Sequence, residues 1–130
     1  MKNADPVMKK KILIIDDEGD LLKMVGMRLE ASGYDVITLD SGERAMAVIR
    51  AEKPNLVLLD VLMPGKNGCE VCAEIKADDT IKNTPVIIFT AHYPEEEYLK
   101  VHSEEIGADD YMLKPFDAQD LLAKIKFLIK

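Results

Sequence analysis

No apolar run in this chain approaches the roughly 20 residues that a membrane-spanning helix requires. The lysine-rich start, residues 1–11, has no apolar core before Ile12, so it reads neither as a signal peptide nor as an anchor but as a short mobile arm over residues 1–10. Basic residues are outnumbered. Seventeen lysines and arginines against 24 aspartates and glutamates leave a net charge of −7, which argues against this domain holding DNA, RNA or anionic lipid by itself. Cysteine is scarce, and Cys69 and Cys72 form one C-x-x-C without a second ligand pair, with His92 and His102 well away in sequence. The pair therefore reads as reduced thiols packed along a helix, in keeping with a cytoplasmic protein, rather than as a zinc or redox site. Repeats, low-complexity tracts and interdomain linkers are missing too, and 130 residues suffice for one domain that is stable without staples.

What the chain does have is a series of short apolar runs that end on polar residues. Leu56-Val57-Leu58-Leu59 has no polar alternation, the mark of a strand buried on both faces, and it ends on Asp60. Lys11-Ile12-Leu13-Ile14-Ile15 ends on Asp16-Asp17-Glu18, Pro85-Val86-Ile87-Ile88-Phe89 on Thr90, and Tyr111-Met112-Leu113 on Lys114-Pro115-Phe116, while residues 34–39 form a shorter strand. Helical patterns lie between them. The first opens at Gly19-Asp20 with Leu21, Val25 and Leu29 inward, and the second follows a capping-box pattern of Asp40 and Glu43 and carries Ala45, Met46 and Ile49. The third spans residues 69–76 with Val71, Cys72 and Ile75 inward, and the fourth spans residues 94–106, acidic at its start and broken by Gly107. Asp117 caps the last, which carries Leu121, Leu122, Ile125 and Leu128. Five alternations predict a doubly wound α/β fold, a five-stranded parallel sheet with helices on both faces.

A parallel sheet brings the carboxyl ends of its strands to one edge, where open α/β folds bind ligands. The residues gathered there are Asp16, Asp17, Asp60, Thr90 and Lys114. Singly, each has an ordinary explanation as a turn acid, a β-branched strand residue or a solvated lysine. Together they make a chemical argument, because three clustered carboxylates repel unless a cation lies among them, and an all-oxygen set suits Mg²⁺. A hydroxyl and a lysine opposite the acids fit a tetrahedral anion arriving at the metal. The chemistry is phosphoryl transfer onto a carboxylate, with Asp60, single and central, as acceptor and the Asp16-Asp17 pair suited to the metal.

In combination, Asp16-Asp17 after a strand, Asp60 followed by Met63-Pro64-Gly65, Thr90-Ala91, and Lys114-Pro115-Phe116 resemble a receiver domain of the response regulators of two-component signalling, the CheY-like superfamily, over residues 11–130. The resemblance implies a flavodoxin-like fold with strand order 2-1-3-4-5. It implies Asp60 as phosphoacceptor, served by a sensor histidine kinase or a phosphotransfer protein. Asp17 would bind Mg²⁺ directly and Asp16 through water, with Asp60 and the backbone carbonyl of Leu62 completing the protein ligands. Thr90 and Lys114 would contact the phosphoryl group, Thr90 and Tyr111 would form the switch, and the Lys114-Pro115 bond would be cis. Leu62 and His92 occupy positions that vary in this family and tune phosphate lifetime.

Other readings share part of this pattern. An aspartate-nucleophile phosphatase would usually carry a second acid where Leu62 stands, and an FMN-binding module would find its phosphate repelled by Asp16-Asp17-Glu18. A non-phosphorylated, purely protein-binding receiver would typically have lost one of the acids or the lysine. The expected output is a conformational shift that controls a downstream protein or effector domain, from a stand-alone receiver or from one module of a longer protein. Residues 107–111 and 117–125 resemble receivers that dimerise beside a winged-helix effector. A homodimer through the fourth helix, fifth strand and last helix is therefore expected, with Asp109 or Asp110 meeting the partner's Lys124.

Overall fold

Each apolar run becomes a strand because branched side chains can pack on both of its faces. In chain order the computed structural model, which describes residues 9–61, 63, 66–90 and 103–129, runs β1 (Lys11–Ile15), α1 (Gly19–Ala31), β2 (Asp35–Leu39), α2 (Ala45–Glu52) and β3 (Leu56–Asp60). It continues with α3 (Gly68–Ala77), β4 (Val86–Thr90), β5 (Asp110–Leu113) and α4 (Ala118–Leu128). The five strands are parallel in the order β2-β1-β3-β4-β5, the flavodoxin-like order that the resemblance implies.

Alternate side chains divide the interior into two cores. Leu13, Ile15, Val57, Leu59, Val86 and Ile88 pack against Met46 and Ile49 of α2 and against Val71, Cys72 and Ile75 of α3. On the opposite face Ile12, Ile14, Leu56, Leu58, Ile87, Phe89 and Met112 meet Leu22, Val25 and Leu29 of α1 and Leu121 and Ile125 of α4. With both faces covered, β3 and β4 are buried throughout. That burial leaves a polar side chain at either strand's end with few places to go except the sheet edge.

Several details depart from the sequence reading. Leu22, not Leu21, is the buried leucine at the start of α1, and Leu122 and Leu128 are only partly buried. The capping box at Asp40 and Glu43 does not form: α2 begins at Ala45, and Arg44 at its N-cap offers no side-chain bond. Glu43 Oε1 accepts instead from the Lys66 backbone N–H at 3.2 Å. A contact between distant segments outcompetes the local cap. The box appears at α3, where Asn67 Oδ1 accepts from the Glu70 N–H at 3.0 Å and Glu70 Oε1 from the Asn67 N–H at 3.3 Å.

Cys69 and Cys72 lie on α3 as thiols, and burial pushes Cys72 up to about 11 and also raises Cys69, the opposite of what a reactive thiolate needs. Most of the predicted arm over residues 1–10 and of the predicted helix over 94–106 falls outside the described residues. Residues 103–105 are helical, and Gly107 closes that turn with φ +82° while the Ala108 N–H donates to the Ser103 carbonyl at 2.9 Å. Among the described residues no helix is long and apolar enough to cross a membrane.

Candidate functional site

Register builds the site. Ile15 on β1 pairs with Leu59 on β3, so the next residues, Asp16 and Asp60, leave the sheet side by side. The Asp16 N–H still donates to the Leu39 carbonyl at 3.1 Å, after which Asp16 Oδ1 accepts the Glu18 N–H at 2.8 Å and turns the chain into α1. The turn keeps Asp16 buried and exposes Asp17. Asp16, Asp17 and Asp60 each offer one oxygen, all within 4.8 Å of one another.

The start of α3 is held against the end of β3. The Gly68 N–H donates to the Val61 carbonyl at 3.0 Å, and a Cβ on Gly68 would lie 2.0 Å from the Asp60 carbonyl oxygen, so only glycine fits. Gly42 comes close to Lys66 from the α2 side, where a Cβ would lie 2.5 Å from the Lys66 carbonyl oxygen.

Lys114 enters from the far side. Its N–H donates to the Thr90 carbonyl at 2.9 Å, its bond to Pro115 is cis, and its side chain crosses the Phe89 ring with Nζ 5.1 Å from the centroid. Nζ ends 2.6 Å from Asp16 Oδ2, 2.8 Å from Glu18 Oε1 and 3.4 Å from Asp60 Oδ2. Thr90 is fully buried at the end of β4 and shares the sheet face of Ile88. Tyr111 pairs with Ile88 in register and is half-buried, with Lys124 Nζ 5.8 Å from its ring centroid. The structure thus brings Asp16, Asp17, Asp60 and Lys114 together, with Thr90 and Tyr111 on the opposite face of the neighbouring strands. Leu62, Pro64, Gly65, Ala91 and His92 lie outside the described residues.

Electrostatically the site is short of positive charge. Burial raises the Asp16 carboxyl above its usual range, against the pull of Lys114 and the Glu18 N–H. For Lys114, burial alone would lower the ammonium, but hydrogen bonds to Asp16 and Glu18 and the charge of Asp60 outweigh it and hold its pKa above that of an ordinary lysine. Three carboxylates, Asp16, Glu18 and Asp60, contact one ammonium and a fourth, Asp17, stands beside Asp16 and Asp60; two of the four are buried. A cluster with that imbalance and only hard oxygen donors could hold a metal ion. The sequence reading did not single out Glu18 and Phe89. Glu18 had a signal, a third consecutive acid after the strand, whereas nothing local to Phe89 marks it as the surface on which Lys114 lies.

A family model described as Response regulator receiver domain matches residues 12–126. The chain belongs to the response regulator receiver family. This receiver is 42% identical over 123 residues to the alkaline phosphatase synthesis transcriptional regulatory protein PhoP of Bacillus subtilis, covering 95% of this chain and 50% of that protein. It is 38% identical over 121 residues to the phosphate regulon transcriptional regulatory protein PhoB of Pseudomonas aeruginosa, covering 93% and 52%. The chain spans about half the length of the curated relatives it matches. Among solved structures, the CheY-like response regulator receiver domain protein of Methanospirillum hungatei aligns with a TM-score of 0.84 at 33% identity, covering 94% of each chain. The BeF3-activated N-terminal receiver domain of Klebsiella pneumoniae RstA aligns with a TM-score of 0.83 at 30% identity, covering 93% of this chain and 99% of that one. Membership places this receiver among signalling domains rather than conventional enzymes, which sets aside the phosphatase and flavin readings.

Proposed function

We propose that this receiver takes a phosphoryl group from a histidine kinase or phosphotransfer protein onto Asp60 and that the modified state controls a downstream partner or effector. The observation that carries this reading is the buried Asp60 carboxylate beside Asp16, with one ammonium, Lys114, shared between them and Asp17 exposed at ligand distance. An Asp60 oxygen attacks phosphorus in line, the P–O bond forms as the donor's P–N bond breaks, and the imidazole leaves. Lys114 stands where it can neutralise charge on an equatorial oxygen, and Thr90 is poised one residue beyond the Phe89 that pairs with Asp60. Asp17, Asp60 and the Leu62 carbonyl directly and Asp16 through water would, as the resemblance implies, hold Mg²⁺, which would supply the remaining neutralisation of the phosphoryl oxygens. All the acids and the lysine being present, a purely protein-binding receiver is the weaker reading.

The residues at the edge also suggest how the signal leaves. Thr90 and Tyr111 share a sheet face on adjacent strands, so movement of Thr90 toward a phosphoryl group opens space for the Tyr111 ring. Homodimerisation on phosphorylation through β5, α4 and the predicted helix over 94–106 accompanies this reading. Within one chain Lys124 pairs with Asp110 at 3.0 Å and Asp109 with Lys76 at 2.9 Å. A symmetric dimer would therefore trade these contacts across its axis rather than add new ones. Sedimentation with and without beryllofluoride decides it, with a monomer in both states ruling the dimer out.

The central test is chemical. Acetyl phosphate with Mg²⁺ should label Asp60, and full labelling of Asp60→Asn would remove the assignment. Asp17→Ala should weaken Mg²⁺ binding more than Asp16→Ala, since Asp17 is exposed while Asp16 is tied to Lys114.

A further inference from the structure

Glu18 is the N-cap residue of α1, with φ −89° and ψ 103°. Serine, threonine, aspartate or asparagine at that position would turn an oxygen onto the first helical N–H groups. The Glu18 side chain makes no such bond. Its Oε1 accepts instead from Lys114 Nζ at 2.8 Å, while its backbone N–H is pinned by Asp16 Oδ1, also at 2.8 Å. Lys114 is shared unequally, and at 3.4 Å its contact with Asp60 is the longest of the three.

An ammonium has three N–H donors, and Asp16, Glu18 and Asp60 take all three. A phosphoryl oxygen arriving at Asp60 must displace one. Releasing Asp16 would strand a fully buried carboxylate, and moving away from Asp60 would take the ammonium from the very group at which the phosphoryl oxygens arrive, whereas the Glu18 side chain is 61% exposed and water can replace the lysine there. We propose that Glu18 is a positioning residue that holds Lys114 on the α1 side of the site, so that phosphorylation requires the ammonium to exchange its Glu18 contact for a phosphoryl oxygen. The inference rests on the reading of Asp60 as phosphoacceptor and Lys114 as its cationic neighbour.

Glu18→Asp and Glu18→Ala test it, read by the initial rate of Asp60 labelling from acetyl phosphate at fixed Mg²⁺ and by the NMR resonances of the Lys114 side chain. Aspartate keeps the charge but is one methylene too short to reach Lys114 from the same backbone. Both variants should label roughly two- to fivefold faster than wild type, the range for losing one largely exposed ion pair, and should shift the Lys114 resonances alike. A wild-type rate and unmoved Lys114 resonances in Glu18→Asp beside a faster Glu18→Ala would assign the effect to charge alone and overturn the positioning role. Unchanged or slower labelling in both variants overturns it as well. Label mapping to a residue other than Asp60 in the wild-type protein would overturn the phosphoacceptor reading itself, and this inference with it.

Discussion

An alanine in place of Gly68 measures how tightly the start of α3 is packed onto the end of the strand that carries Asp60. The new Cβ would lie 2.0 Å from the Asp60 carbonyl oxygen, 2.8 Å from its carbonyl carbon and 3.0 Å from Val61 Cα, all backbone atoms with no rotamer to yield. Non-bonded carbon contacts settle near about 3.5 Å, so the two segments must part by roughly 1.5 Å. That movement strains the bond from the Gly68 N–H to the Val61 carbonyl. Overpacking of this kind costs about 1–3 kcal/mol and the weakened hydrogen bond about 1 kcal/mol, offset by up to about 1 kcal/mol for removing glycine's backbone freedom. The net loss is roughly 2–3 kcal/mol, which lowers the melting temperature of a chain this size by about 10 °C. Gly26→Ala is the matched control: it lies in the middle of α1, its Cβ would meet only Val36 Cγ1 at an ordinary 3.5 Å, and it should be neutral or stabilising by up to about 1 kcal/mol. Thermal melts by circular dichroism separate the two, and acetyl phosphate labelling should fall in Gly68→Ala alone. A Gly68→Ala protein that melts within about 2 °C of wild type and labels normally would refute the close approach.

Two other perturbations follow from the charge map. The raised Asp16 carboxyl means that the stability its protonated form supplies is complete below the ordinary aspartate range, near about 4, and is lost as pH rises through the folded value. In EDTA, Asp16→Asn should therefore gain on wild type as pH rises above about 4, while gaining less than wild type from added Mg²⁺; urea titrations read both. Lys76 Nζ bonds Asp109 Oδ2 and the Thr84 carbonyl at 2.9 Å and the Lys82 carbonyl at 3.3 Å, so Lys76→Met should cost about 1–2 kcal/mol in urea unfolding without changing Asp60 labelling.

Asp16, Asp60, Thr90 and Lys114 are legible in the sequence because each follows an apolar run too uniform to be anything but a strand covered on both faces, and parallel topology does the rest. What a single sequence does not carry is contact between segments that are distant along it. Asp40 and Glu43 spell a capping box, but Glu43 is drawn to the Lys66 N–H, 23 residues on, and α2 starts later. Asp110 and Lys124 read as charges available to a second copy, but they meet within one chain because β5 and α4 run side by side. Leu21 and Leu22 differ by one helical step, and which of them is buried depends on how α1 rests on the sheet, a packing property with no sequence period of its own.

Local rules are broken at a few places in this fold, and their surroundings separate structural exceptions from functional ones. Lys53 takes a left-handed conformation at φ +48°, yet it ends α2 immediately before Pro54, and the Lys53 N–H donates to the Ile49 carbonyl at 2.9 Å; chain reversal explains it fully. Asp16 and Asp60 have no such local explanation. Both are buried at the edge of an apolar sheet, where with Glu18 they share a single ammonium while Asp17 stands beside them, so the cluster carries more negative charge than Lys114 can neutralise. A fold keeps such an arrangement when something else supplies the missing positive charge. A cation that binds only the assembled cluster then stabilises the folded chain in proportion to the logarithm of its concentration over its dissociation constant. By reciprocity, any group whose charge strengthens that cation's hold is itself held more tightly when the cation is present. On the proposed reading, an anionic phosphoryl group on Asp60 would meet that condition, because its oxygens would offer the cation negative charge in place of the charge that the carboxylate loses on becoming an acyl phosphate. Cation binding and phosphorylation at this edge would then be thermodynamically coupled, through the same charge imbalance that draws the cation.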